Sequence, residues 1–159
     1  MFRFARLGLV ALGAAVTLIA TPLAAGAQPP VVNETTTVHD ETETFVDVVP
    51  TCEEGAPLAE ITITYNAIEH ETVFENGGVH ATFTQTGTFV ATELESGATA
   101  TGHFAVWGGF NQNNQTVNGT FTFELQGAYE DGTRISFHET DHFNVTPSGA
   151  EYFFTHCHD

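Results

Sequence analysis

The side chains best suited to chemistry gather near the C-terminal end of this 159-residue chain. In "RISFHETDHFNVT", residues 134–146, the types alternate as a β-strand requires. Ile135, Phe137, Phe143 and Val145 share one phase, and Glu139 and Asp141 fall on it too. A carboxylate held among phenylalanines has its pKa raised by desolvation. It then serves as a general acid or base, or as an anchor for a polar ligand group. The plainer reading puts both acids at a mouth or bend, where they meet water or a hydroxyl. No nucleophile is paired with them, so the residues spell out no catalytic mechanism.

The opposite phase of that stretch carries His138 and His142, and the C-terminal "THCHD" adds His156 and His158. Zinc or copper takes three or four such ligands. His138 and His142, four residues apart on a strand, stand ~13 Å from each other, too far for one ion, whereas His156 and His158 are ~7 Å apart. The short "PSG" turn between the two stretches makes them neighbours. Either His138 or His142 reaches across to His156 or His158, or there is no site. Exposed histidines on an acidic, cofactor-free protein are the plain expectation, with zinc or copper capture as the alternative.

Strands must position these groups, because nothing after residue 28 reads as a helix. "ETETFVDVV" (41–49) follows a polar lead-in over 28–40 that is placed as an edge strand. "LAEITITYNA" (58–67) alternates, and its apolar phase then slips to Ile68, His70, Thr72 and Phe74, as at a bulge. "ENGG" (75–78), "ESG" (95–97) and "EDG" (130–132) are turn signals, and "NQNNQ" (111–115) is a polar loop. Between them lie long alternating runs rich in threonine and phenylalanine. Phe104, Val106 and Phe110 fall on one face and Trp107 on the other; Val117, Phe121, Phe123, Leu125 and Tyr129 share a face.

Long strands joined by short turns predict an all-β, antiparallel up-and-down barrel of seven or eight strands. Closure removes exposed edges, and glycines inside the strands supply the bends it needs. A two-sheet β-sandwich is the alternative. If an interior cavity exists, Tyr65, Trp107 and Tyr129 are candidates to line it beside Glu139 and Asp141, although core packing is their ordinary role.

Residues 1–27 read as a secretory signal. Arg3 and Arg6 precede the apolar run "LGLVALGAAVTLIA", and "AGA" forms a cleavage site before Gln28. The expected mature chain of about 130 residues is one domain, covering 41–159 after the lead-in. Arg134 alone then stands against all 20 acids, and there is no lysine. Such a surface repels nucleic acid and anionic lipid. Cys52 and Cys157 are expected to form a disulfide in an oxidising compartment. Glycosylation triplets at Asn33, Asn118 and Asn144 arise by chance in strands this rich in threonine.

"TGHFAVWGGFNQNN" and "FTFELQGAYEDGTRISFHETDHFNVTPSG", with the flanking cysteines, resemble a group of small secreted β-rich proteins of actinobacteria that has no assigned activity. The resemblance implies export and a barrel-like domain. The architecture is also similar to lipocalin-type and allene-oxide-cyclase-type barrels, which enclose small apolar ligands; fold alone does not fix function. The combined expectation is a secreted, non-enzymatic protein that binds a small apolar ligand or an extracellular partner. The alternatives are an isomerase- or cyclase-type barrel enzyme using Glu139, and metal capture by the histidines.

Overall fold

A computed structural model describes residues 29–52 and 55–158, so the expected signal segment lies outside the described residues. Seven strands follow in chain order: β1 (Pro30–Val48), β2 (Leu58–Phe74), β3 (Val79–Glu93), β4 (Thr99–Gln112), β5 (Val117–Tyr129), β6 (Arg134–Val145) and β7 (Glu151–His158). Each pairs antiparallel with the next in one sheet ordered β1 to β7. The two-sheet arrangement is therefore not adopted. Nor is the sheet closed, since β1 pairs only with β2 and β7 only with β6.

The turn residues explain the meander. In "ENGG" the amide of Gly77 donates to the Phe74 carbonyl and that of Phe74 to the Gly78 carbonyl. Gly77 holds φ at 78°, a left-handed conformation that residues with a Cβ adopt only under strain. Glycine matters differently within the strands. A Cβ on Gly102 would stand 2.7 Å from Cε1 of Phe89, and one on Gly127 would stand 2.9 Å from its Cζ. The Phe89 ring packs directly against β4 and β5 because neither glycine has a side chain to keep it off.

The polar lead-in pairs as the expected edge strand, forming the first part of β1 from Pro30 onward. The bulge expected in β2 is absent: the β2–β3 register is continuous from Ala59 to Val73. Ile68 accordingly points away from the core and is 54 % exposed. The irregularities sit on the partner strand, where the β1–β2 register shifts between Pro30 and Val32 and again between Val38 and Glu41, and Asp40 has a φ of 50°. Each shift places one extra residue in β1, so the inner phase of β2 continues through Glu69 and Glu71.

A flat sheet of seven strands would hold its edges ~29 Å apart, from six spacings of ~4.8 Å. Yet Cys52, just past β1, is bonded to Cys157 of β7 with their Cα atoms 5.8 Å apart. The sheet must therefore curl, and Val49 packs into the same cluster as Phe137 of β6. That cluster fills one half of the inner face, with Ile61, Ile63, Tyr65, Phe89, Ala91, Ala100, Phe104 and Leu125. In the other half Phe83, Phe121 and Phe143 are only partly buried, alongside Gln85, Glu71 and Asp141.

Candidate functional site

Glu139 and Asp141 lie on the inner phase of β6, in line with Phe137 and Phe143 as strand alternation requires. Across the sheet Glu139 faces Phe123 on β5 and Cys157 on β7, while Asp141 faces Phe121 and Thr155. Rings surround the pair. Phe121 stacks on Phe143 with centroids 5.4 Å apart and meets Phe83 at 5.6 Å. Phe123 meets Phe137 edge-on at 5.5 Å. The Thr155 hydroxyl donates to Oδ1 of Asp141 at 2.7 Å, which orients that carboxylate.

Burial raises the Glu139 pKa above the ordinary carboxylate range, and the charge and hydrogen bond of Asp141 add to the rise. Among the described residues one histidine stands within ion-pair distance of a carboxylate, His138 beside Glu124, and it lies on the other face of the sheet. Two carboxylates thus share a wall of phenylalanine with no described cation to balance them. Such a pair favours a proton, a cation or water.

The other predicted ligand residues are dispersed. Tyr65 sits in the core, 8 % exposed, with its hydroxyl donating to Oε1 of Glu43 at 2.8 Å. Its phenol is pushed up to about 12, first by burial and then by that acceptor. The Tyr129 hydroxyl donates to Oε1 of Glu93 at 2.8 Å, and its phenol rises to about 12 for the same reasons. Trp107 lies on the outer face, opposite Thr84 and Thr122, and is 38 % exposed. None of the three joins Glu139.

A surface cleft of about 360 Å³ lies at the packed end, between the β1–β2 connection and the start of β6. Val49, Pro50, Pro57, Tyr129, Arg134 and Ser136 are among its lining residues, and Glu139 is not. The volume is at the small end for a ligand site, and one exposed guanidinium is its only cation among the described residues. The acid pair, embedded in aromatic surface, is the more specific feature.

On the outer face the register brings histidines together. His138 pairs with His158 and Thr140 with His156, while His142 faces Phe154. Ring centroids of His156 and His158 are 4.2 Å apart, and those of His138 and His158 are 6.5 Å apart. His142 is drawn off toward Thr120, whose hydroxyl lies 2.9 Å from its Nδ1. As the side chains stand, no three metal-ligating groups among the described residues converge on one point. Glu124, which sequence reasoning missed, lies 2.9 Å from Nδ1 of His138. Counting back symmetrically from the "EDG" turn pairs those two positions, so the signal was present.

Cys52 and Cys157 form the expected disulfide, at a sequence separation of 105. Among the described residues no helix is long and apolar enough to cross a membrane. Comparison with family models, curated proteins and solved structures returned no match.

Proposed function

We propose that this chain is a secreted binding protein whose inner face takes an apolar ligand bearing a cationic group. One observation carries the reading: Glu139 and Asp141 share a phenylalanine-lined wall with no described counter-charge. An amine or quaternary ammonium would balance the acids, and its apolar body would cover Phe83, Phe121 and Phe143. Aromatic faces attract such cations as well. The reading takes the sheet as an up-and-down barrel with one unbonded seam between β1 and β7, and that seam is the ligand's way in. The disulfide supports an oxidising, extracellular setting.

The enzyme reading has one feature in its favour, because Asp141 is a second titratable group within reach of Glu139. Both are acids on one strand, however, and neither the cleft beside Arg134 nor the small one beside His103 is lined by them among the described residues. Binding is the better-supported role. Isothermal titration separates the cases with three amphiphiles of one chain length: a trimethylammonium, an alcohol and a sulfate. The trimethylammonium should bind with a Kd at least tenfold below that of the alcohol. Glu139→Gln with Asp141→Asn should erase that preference. Equal binding of all three, or a preference that survives the double variant, would overturn the proposal.

A further inference from the structure

We propose that His138, His156 and His158 form a site for a single zinc or copper(II) ion on the outer face of the β6–β7 hairpin, with Glu124 behind His138. This site is separate from the acid pair, because the strand period puts the histidines and the carboxylates of β6 on opposite faces.

The donor set comes from register. His156 and His158 are two residues apart on β7, so both rings rise from one face. His138 stands directly opposite His158 on β6, and Thr140, opposite His156, completes the small square between the strands. Two imidazoles bound to one tetrahedral ion have centroids about 5 Å apart, given metal–nitrogen distances near 2.0–2.1 Å. His156 and His158 stand at 4.2 Å and His138 and His158 at 6.5 Å, so the rings must turn to converge on one ion. His156 and His158 are exposed on the edge strand, where such rotamer changes are open to them.

His138 is already set for ligation. A carboxylate can only accept, so Nδ1 of His138 donates its proton to Oε1 of Glu124 across 2.9 Å. In the neutral ring that leaves the lone pair on Nε2. The Thr140 hydroxyl lies 3.5 Å from that atom, on the side where His156 pairs. A carboxylate behind a ligating imidazole fixes its tautomer and orientation, and its loss typically weakens metal binding ~10–100-fold. Three imidazoles leave the fourth tetrahedral position to water. The excess of acids over bases in the chain raises the local concentration of cations.

The test uses the full disulfide-bonded chain, without a polyhistidine tag, titrated with zinc chloride by calorimetry. Cobalt(II) serves as the spectroscopic probe of ligand geometry. One equivalent of zinc should bind, and cobalt should give the intense visible absorption of a tetrahedral complex. His138→Ala, His156→Ala and His158→Ala should each weaken zinc at least tenfold, and Glu124→Gln should weaken it by a smaller factor. His80→Ala should leave it unchanged. All of these side chains are solvent-accessible, so far-ultraviolet circular dichroism should match the parent. Absence of one-equivalent binding, unchanged affinity in the triple alanine variant, or displacement of zinc by equimolar calcium would each overturn the site.

Discussion

At one end of the inner face, Ile63, Phe89, Phe104, Leu125 and Phe137 are between 3 % and 6 % exposed. At the other end Phe83, Phe121 and Phe143 keep part of their surface in water. Both ends use phenylalanine at the same strand period, so composition does not separate them. The difference lies in what shares the phase. At the packed end the inner positions are mostly aliphatic or aromatic, and glycine lets the Phe89 ring approach the sheet closely. At the open end Glu69, Glu71 and Asp141 occupy those positions, with Glu139 where the two halves meet. Carboxylates cannot be stripped of water without a partner, so rings beside them cannot close over the space. One half of the face holds the fold together, and the other is left able to receive something.

The disulfide links the chain just past β1 to β7 across the curled sheet, and its removal should be the largest single loss. Cys52→Ser with Cys157→Ser releases a loop spanning 105 residues and is expected to lower unfolding free energy by about 4–5 kcal/mol in the chain-entropy model. Urea denaturation measures it. A loss under about 1 kcal/mol would mean that strand packing alone holds the curl.

Paired truncations sharpen the contrast next. Phe137→Ala empties a buried position and should cost about 3–5 kcal/mol. Phe143→Ala, at the open end, should cost about 1 kcal/mol. Equal losses in urea denaturation would show that the open half is packed as firmly as the closed one.

The smallest effect concerns Glu139, and its sign is fixed by linkage. Its folded pKa is raised by burial and by Asp141, so the folded chain holds that proton more tightly than the unfolded chain does. The favourable contribution is full below the ordinary carboxylate range and is lost as pH rises through the folded value. Glu139→Gln mimics the protonated form at every pH. It should raise the melting temperature at neutral pH, and the gain should vanish near about pH 4. A gain independent of pH would remove ionisation as its cause.

Much of this arrangement was legible in the residues. The turn at "ENGG" and the common phase of Phe137, Glu139 and Asp141 follow from local rules of period and turn chemistry, and the structure keeps them. Ile68 and Phe74 imply a change of phase in β2. The extra residues are in β1, where neighbouring polar side chains give no apolar pattern to betray them. The grouping of His138 with His158 depends on register across a hairpin, which residue types alone leave open by one or two positions. Trp107 and Tyr65 illustrate a different limit: both are aromatic, and only the assembled sheet separates an outer-face ring from a core one.

The division of the inner face is tested most directly by nuclear magnetic resonance, with the trimethylammonium amphiphile titrated into isotope-labelled protein. Signals of Phe121, Glu139, Asp141, Phe143 and Thr155 should shift in a saturable manner, while those of Ile61, Ala91 and Ala100 stay in place. Shifts spread evenly over the acidic surface, or concentrated at Tyr129 and Arg134, would contradict a binding face at the open half.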